Sequence, residues 1–401
     1  MWVMGTRLLW VMVSLWPCVD AGGQRTKTSP FIEIDCGNVT RPRPVSFLAE
    51  SPAKVATHLP CSKPPSYANM SSHMHVAYLS IGRSSALAAK RAVFTFAAVA
   101  HIERVAKALP VIYHLVTREG TKEMRRRLCQ DQKVSPLHAA GKIHLHSLQK
   151  APVAAAQMHA KLEALASGNG RMYLWKNVLH LLLPKWLPRV MFLDADLFFV
   201  SDPTLLWRQF DLFAAGQHIG MAVEESWSRQ EVYLQGGVSF NSGVLLMDLD
   251  GLRQSQLYAN LLTKYSLPGS TKLGWTADQN LFSDMSTNQS GGRSLFYTLP
   301  CGFNMQTSTH QIPPRGEGSA RAFKALHRCI TSPCHIIHGN EFESKKVLWQ
   351  LLDRPHDRSS CLEVLQQHRC HVDPFRKQAP AARMHGLLAR QCCNGHHEGG
   401  S

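Results

Sequence analysis

Residues 189–201, with the sequence RVMFLDADLFFVS, constrain the fold more than any other run in the chain. The apolar residues at 190–193 predict a strand buried on both faces, as in the centre of a parallel sheet. Asp194 and Asp196 follow at once, and side chains two apart in an extended chain point the same way. Two carboxylates at a strand end can therefore hold one Mg²⁺ or Mn²⁺ ion. The alternative is a strand-to-turn junction with two solvated acids.

Composition narrows the class of partner. A chain of 401 residues holds one large domain or two ordinary ones, and 44% apolar residues predict that most of it folds. The formal charge of +16 favours an anionic partner such as a nucleotide, a membrane surface or nucleic acid. Zinc-finger spacing and RNA-binding aromatic signatures are missing from the sequence, which argues against nucleic acid.

The N-terminus predicts entry into the secretory pathway. Arg7 precedes an apolar stretch at 8–19, which is shorter than the roughly 20 residues that span a bilayer. We interpret residues 1–21 as a signal peptide cut after Ala21, with an uncleaved, membrane-associated signal anchor as the alternative. Either interpretation predicts entry into the secretory pathway, and we expect the protein in its lumen, in the Golgi or endoplasmic reticulum.

Sequons and cysteines agree with that compartment. Asn-x-Ser/Thr sequons begin at Asn38, Asn69 and Asn288. Of the 11 cysteines, Cys18 would leave with a signal peptide, so that an even number remains for disulfide bonds. We expect at least one disulfide to involve Cys301, Cys329 or Cys334.

Strand and helix signals alternate through the middle of the chain. Residues 22–74 lack lasting periodicity and predict a stem, and residues 353–401 predict a polar, irregular tail. The rhythm between them predicts one α/β domain at 75–352, with helices flanking a mostly parallel central sheet. Predicted strands cover 76–81, 111–116, 142–148, 190–193, 219–223, 244–249 and 335–338. Predicted helices cover 85–108, 173–183, 203–213 and 277–285.

Motifs in this domain resemble a known family. The segments FLDADLFFVSDPTLLW, FNSGVLLMDLDGLR, TADQNLF, LPCGFN and HGN occur in the order and approximate spacing of the nucleotide-sugar glycosyltransferases of family eight. Within it, the chain is most similar to the secretory branch that contains the glucoside and xyloside xylosyltransferases and the xylosyltransferase domain of the LARGE proteins. The resemblance implies a GT-A fold and retaining, manganese-dependent transfer from a UDP-sugar.

The resemblance also implies a metal site. It makes Asp194, Asp196 and His338 the ligands of Mn²⁺, with Mg²⁺ as the alternative metal. His338 ends an apolar run, and Gly339 would let the backbone approach the donor phosphates. Taken alone, His338 would more often be a core or turn histidine.

Donor contacts are implied for further residues. Lys176, in Tyr173-x-x-Lys176, matches a basic residue that reaches the donor, with a surface lysine on an amphipathic helix as the alternative. Asn241 and Ser242 match a turn that holds the sugar hydroxyls, with a plain Asn-Ser-Gly turn as the alternative.

The last motif departs from the family pattern HxxGxxKPW. Here Gly339 comes early and Lys345 one place late. Lys345 or Lys346 would contact the diphosphate, and a solvated helix start explains both equally well.

Asp278 and Gln279 are the implied catalytic pair. They open a predicted helix, and the family uses them around the reacting carbon; helix capping by Asp278 is the alternative. A double displacement would require an enzymatic nucleophile, and the sequence adds none. We therefore favour front-face attack with the leaving phosphate as base.

The leading hypothesis is a lumenal glycosyltransferase that moves xylose from UDP-xylose to a glycan or glycoprotein. UDP-glucose and UDP-galactose are the alternative donors. Residues 224–227 are the candidate wall of the donor pocket, where Trp227 could fill the space of a hexose hydroxymethyl group or simply pack in the core. A glycan-binding scaffold without catalysis is the rival hypothesis. The intact Asp194, Asp196 and His338 argue against it.

Overall fold

The computed structural model describes residues 72–81, 85–118, 121–168, 170–224, 230–269, 273–306, 333–339 and 352. The strands are β1 (Met74–Ser80), β2 (Val111–Thr117), β3 (Ile143–Ser147), β4 (Arg189–Leu193), β5 (Leu197–Phe199), β6 (Ile219–Val223), β7 (Phe240–Asp248), β8 (Phe296–Thr298), β9 (Met305–Gln306) and β10 (Ile336–His338). The helices are α1 (Ser85–Val105), α2 (Thr121–Gln130), α3 (Ser135–Ala139), α4 (Val153–Glu163), α5 (Gly170–Tyr173), α6 (Leu179–Leu182), α7 (Thr204–Trp207), α8 (Gln230–Leu234), α9 (Leu249–Gln254), α10 (Gln256–Tyr265) and α11 (Ala277–Met285).

A seven-stranded sheet in the order β3-β2-β1-β4-β7-β6-β8 forms the centre of the described domain. Its strand pairs are parallel except where β7 lies between β4 and β6, antiparallel to both. The predicted α/β class with a mostly parallel central sheet is therefore confirmed. A second sheet of three short strands has the order β5-β10-β9 and lies beyond the end of β4 in the chain.

Strand β4 is buried on both faces, as its apolar run predicts. Met191 and Leu193 belong to one hydrophobic cluster, whereas Val190 and Phe192 belong to another. Side chains alternate across a strand, so the two clusters cover opposite faces of the sheet. Burial of one such side chain stabilises the fold by about 1.5–3 kcal/mol, which anchors the strand end that carries the two aspartates.

Two predicted helices are interrupted. The predicted helix 173–183 consists of α5, a 3₁₀ segment at Leu174–Val178 and α6. All five residues of that 3₁₀ segment are buried, so tertiary packing rather than an amphipathic period decides its shape. The predicted helix 203–213 is α7 followed by a 3₁₀ turn at Arg208–Leu212, which places the Phe210 ring against Trp207 and Phe213.

The predicted turn at residues 241–243 is wrong, because these residues lie within β7. Asn241 pairs with Ala222 of β6, and the register shifts between Met221 and Ala222. The shift removes Ser242 and Gly243 from the ladder with β6, so both residues remain extended while their polar groups point elsewhere.

The predicted domain limits at 75 and 352 stay predictions, and residues 1–71 and 353–401 lie outside the described part of the chain. Within the described part, no helix has both the length and the apolar character needed to cross a bilayer. Cys129, Cys301 and Cys334 are disulfide-bonded.

Candidate functional site

The candidate site lies at the carboxyl end of β4, where β4 meets the first residues of β7 and the last residue of β10. Asp194 follows β4, and its N–H donates to the Gly243 carbonyl of β7 at 2.9 Å. His338 is the last residue of β10, and the next N–H, from Gly339, donates to the Asp196 carbonyl at 2.9 Å. These backbone bonds fix the two aspartates and the histidine on the same edge.

Asp194, Asp196 and His338 form a potential metal site. Each offers a ligand atom, and these atoms lie within 4.8 Å of one another. The His338 Nε2 atom is 3.6 Å from Asp196 Oδ1, and both side chains are buried, whereas the Asp194 side chain is 30% exposed. Carboxylate oxygens with one imidazole suit a divalent cation such as Mn²⁺, and the donor set therefore fits the implied metal.

The His338 ring is oriented by an amide. Its Nδ1 atom lies 2.9 Å from the side-chain oxygen of Asn304, which in turn donates from Nδ2 to Asn241 Oδ1 at 2.9 Å. Because an amide oxygen only accepts, the contact with Asn304 places a proton on His338 Nδ1, and Nε2 is the ring nitrogen that faces the carboxylates. A neutral imidazole in this tautomer is the form that binds a metal.

Gly243 is required by the close approach of the same ring. A Cβ atom built on Gly243 would lie 2.2 Å from His338 Cε1, far inside van der Waals contact. Any larger residue in the NSG segment would displace the histidine from the two aspartates.

Lys176 lies inside the site rather than on the surface, so the surface-lysine alternative is wrong. Its side chain is 2% exposed, and Nζ donates to Asp194 Oδ1 at 2.9 Å and to the Ser242 carbonyl at 3.0 Å. Asp278 Oδ2 is 3.4 Å away. Burial lowers the pKa of Lys176, but the Asp194 and Asp278 carboxylates outweigh it and hold the pKa above its usual value.

Asp278 does not cap its helix, because the N-cap of α11 is Thr276. The Asp278 carboxylate instead accepts a 2.7 Å hydrogen bond from Ser242 Oγ. Ser242 therefore connects β7 to α11. Lys176 contacts both residues, because its ammonium group donates to the Ser242 carbonyl and lies 3.4 Å from Asp278. The hydroxyl and both charged groups are buried.

Glu224, the first residue of the predicted wall at 224–227, makes contacts in the site that the sequence did not predict. It follows β6, it is 4% exposed, and its Oε2 accepts from Gln279 Nε2 at 2.6 Å and from Asn241 Nδ2 at 2.9 Å. The described side chains of the site thus hold four carboxyl groups, listed as Asp194, Asp196, Glu224 and Asp278, against one ammonium group. A divalent cation would offset this excess of negative charge.

The structure brings together every predicted site residue that lies in the described part of the chain. Residues 176, 194, 196, 241, 242, 278, 279, 338 and 339 converge at this edge of the sheet. Lys345, Lys346 and Trp227 lie outside the described residues. Asn304 occurs in the LPCGFN segment, but nothing in that segment predicts that its amide contacts His338.

A cavity of about 260 Å³ lies beside the Lys176 segment, at the ends of β1, β2 and β3. Ile81, Arg118 and Trp175 line it, together with His159, whose ring stacks on Trp175 at a centroid distance of 4.0 Å. The cavity combines flat aromatic surface with a cationic side chain.

Comparison with known proteins places this site in context. The family model described as glycosyl transferase family 8 matches residues 84–341. Xyloside xylosyltransferase 1 of Mus musculus is 28% identical over 261 residues, which cover 57% of this chain and 63% of that protein. Xylosyl- and glucuronyltransferase LARGE2 of Homo sapiens is 33% identical over 171 residues, covering 40% and 23% respectively. The chain therefore spans less than two thirds of the length of these relatives.

A solved structure resembles the chain as well. The crystal structure of mouse xyloside xylosyltransferase 1 in its apo form has a TM-score of 0.48 and 25% sequence identity to this chain. The match covers 67% of this chain and 98% of that structure.

Proposed function

Because the chain belongs to glycosyltransferase family 8, we propose that it transfers xylose from UDP-xylose to a glycan or glycoprotein with retention of configuration. The observation that carries this proposal is the cluster of Asp194, Asp196 and His338 beside the buried Lys176–Asp278 pair. Two of the relatives are named for xylosyl transfer, which supports xylose as the donor sugar.

The metal ligands prepare the leaving group. Mn²⁺, or Mg²⁺ as the alternative, would be held by Asp194, Asp196 and His338 and would supply Lewis-acid neutralisation of the donor diphosphate. Asn304 keeps the His338 lone pair available, and Gly339 leaves room for phosphate oxygens near the backbone. Lys176 adds a permanent positive charge at the same edge, since its pKa is held above the usual value.

We assign the donor sugar to the part of the site next to the first turn of α11. We assign donor hydroxyls to Asn241, Ser242 and Asp278, which are all buried. Ser242 donates to Asp278, and Asn241 donates to Glu224. Gln279 is held by Glu224, and its amide is assigned to the oxocarbenium-like reacting carbon. The nucleoside is assigned to the 260 Å³ cavity beside Trp175.

Front-face attack is the proposed route to retention. Asp278 accepts from Ser242 and pairs with Lys176, an arrangement that orients the carboxylate and reduces its nucleophilicity. Gln279 carries an amide, which is a poor nucleophile. The acceptor hydroxyl would therefore attack on the face that UDP leaves, with the departing phosphate as base.

The proposed compartment is the lumen of the Golgi or endoplasmic reticulum. The apolar stretch at 8–19 and the sequons support it, and so do the disulfide-bonded Cys129, Cys301 and Cys334, because such bonds persist in oxidising compartments. Lys345 remains a proposed diphosphate contact.

Donor competition tests the proposal. The full chain is secreted from cultured cells and incubated with Mn²⁺ and equal concentrations of UDP-xylose, UDP-glucose and UDP-galactose, and the loss of each donor is followed by chromatography. We expect UDP-xylose to be consumed fastest. Faster use of either hexose donor contradicts the choice of xylose, and no release of UDP from any donor contradicts an active transferase.

A further inference from the structure

One aromatic side chain stands out on the surface. Among the large apolar side chains that the structure describes as exposed, Trp275 is the aromatic one, with 70% of its surface accessible to solvent. Isolated exposed apolar residues are common, so exposure alone indicates nothing. The backbone around this indole, however, is built to hold it in place.

Two segments clamp the backbone on either side of Trp275. Leu273 N–H donates to the Leu165 carbonyl at 3.0 Å, and Ser167 N–H donates to the Gly274 carbonyl at 3.3 Å. The Asn280 amide donates to the Leu273 carbonyl at 2.7 Å. The loop that carries the indole is therefore fixed to the segment at 165–170 and to α11.

Two glycines let the indole lie flat on that segment. A Cβ atom on Gly168, where φ is +57°, would lie 3.0–3.1 Å from three atoms of the six-membered ring of Trp275. A Cβ atom on Gly170 would lie 2.4 Å from the Trp275 carbonyl oxygen. The six-membered ring of the indole thus packs against the Gly168 backbone, while 70% of the Trp275 surface stays accessible to solvent.

Both segments lead directly into the candidate site. Gly170 begins α5, which continues into the 3₁₀ segment that carries Lys176. Trp275 precedes Asp278 by three residues, so their Cα atoms are at most about 11 Å apart. The Lys176 and Asp278 side chains meet at 3.4 Å, so both segments that hold Trp275 reach the candidate site within a few residues. The exposed indole therefore lies on the surface near the site, and we call this surface the rim.

We propose that Trp275 is a stacking platform for a pyranose ring of the acceptor, a proposal that rests on the proposed function. The C–H face of a pyranose is apolar and flat enough to cover an indole, and the indole N–H can still bond to a hydroxyl. The donor sugar is assigned to buried groups, whereas the acceptor enters from solvent. An exposed platform at the rim therefore suits the acceptor.

Three variants of the full chain test the platform. Trp275→Ala removes the stacking surface, Trp275→Phe keeps an aromatic face, and Leu234→Ala is the matched control on α8, because Leu234 is 71% exposed. The acceptor probes are the methyl glycosides of xylose, glucose and galactose. UDP release from UDP-xylose is measured with each probe, and also without a probe to report hydrolysis by water.

For Trp275→Ala we expect the KM for the accepted glycoside to rise at least about fivefold, because the apolar C–H face of the sugar loses its contact with the indole. Hydrolysis without a probe should stay at the wild-type rate, Trp275→Phe should recover most of the loss, and Leu234→Ala should behave as wild type. An unchanged KM in Trp275→Ala, or an equal loss in Leu234→Ala, overturns the platform.

A binding experiment separates this proposal from the proposed function. Saturation-transfer NMR with the same glycosides, Mn²⁺ and UDP needs no turnover. Contact with ring C–H protons in wild type that is lost in Trp275→Ala supports the platform, even if no UDP-sugar is consumed and the proposed function fails. Contact that persists in Trp275→Ala, or the lack of any contact in wild type, overturns the platform.

Discussion

Two clusters of buried ionisable side chains lie on the central sheet. They offset the free-energy cost of burying ionisable groups in opposite ways. At the candidate site, Lys176 stays charged because Asp194 and Asp278 lie within 3.4 Å of its ammonium group. On β1, β2 and β3 lies a histidine cluster, defined as His75, His114, His144 and His146. His75 Nδ1 is 3.1 Å from His114 Nε2, and His114 Nδ1 is 3.0 Å from His146 Nε2.

The histidine cluster avoids charge instead of pairing it. Burial, and then the neighbouring histidines, lower the pKa of His114 well below its usual value. Burial lowers the pKa of His146 to about 4. The rings of His75, His114 and His144 also pack around Trp186, as an apolar core residue would. The difference teaches that a buried polar cluster keeps its charge only where opposite charges are close. We therefore expect catalysis at the charged cluster around Lys176 and not at the histidine cluster.

The largest expected effect comes from Asp196→Ala. The variant should keep the fold and lose UDP release by on the order of 10²–10³-fold or more, because it removes a ligand of the proposed cation. Asp211→Ala, on an exposed 3₁₀ turn, is the matched control and should behave as wild type. Full activity of a folded Asp196→Ala protein would remove this residue from the site.

Lys176→Met tests how the charged cluster is balanced. Removing the ammonium leaves Asp278 buried without its partner, and breaking a buried pair costs about 3–5 kcal/mol of unfolding free energy. Urea denaturation measures the change, and added Mn²⁺ should recover part of it. Arg126→Met breaks an exposed pair with Glu123 and should leave the midpoint unchanged. Equal effects of both variants on the urea midpoint would contradict the claim that the buried Lys176–Asp278 pair contributes more stability than the exposed Arg126–Glu123 pair.

Asn304→Ala tests the orientation of His338. Loss of a partner that orients a metal ligand weakens metal affinity by about 10–100-fold, so half-maximal UDP release should need correspondingly more Mn²⁺. Nitrogen-15 NMR of His338 should report the Nδ1–H tautomer in wild type and a mixture in the variant. An unchanged Mn²⁺ requirement together with an unchanged tautomer would contradict the role of the amide.

The smallest expected effect is a pH dependence of stability caused by the histidine cluster. The folded pKa of His114 and His146 lies below the unfolded value of about 6.5, so the unfolded chain binds protons first as the pH falls. Stability should be constant above about pH 7.5 and should have fallen by about 2 kcal/mol per desolvated histidine at pH 5.

Urea midpoints at several pH values check this slope. His180, whose pKa is also lowered to about 4, contributes a background outside the cluster. The variant His114→Gln should therefore reduce the slope without abolishing it. A stability that is flat from pH 7.5 to 5 would show that the cluster does not hold its histidines neutral.

The sequence predicted much of this arrangement where the signal was local. The apolar run of β4 and the helix at Ala277–Met285 are confirmed, because an unbroken apolar run and apolar residues at helical spacing leave few alternatives. The resemblance to family eight is confirmed by the family match. The site residues themselves stay predictions of role, although the structure places them together.

The rest depends on contacts between distant parts of the chain. Glu224 meets Gln279 across 55 positions, and Asn304 meets Asn241 across 63, which no local pattern reports. The 3₁₀ segment with Lys176 was predicted as a regular helix because its shape follows from packing on both sides. Asn241 was predicted in a turn because Asn-Ser-Gly is a common turn sequence, yet the ladder with Ala222 extends β7 over it.

Titration with Mn²⁺, followed by electron paramagnetic resonance in the presence of UDP, tests the central claim most directly. The claim is that the charged cluster at the end of β4 holds a divalent cation and the histidine cluster does not. We predict one tightly bound ion in wild type and in His114→Gln, and none in Asp196→Ala. A bound ion that persists in Asp196→Ala, or that is lost only in His114→Gln, would contradict the account.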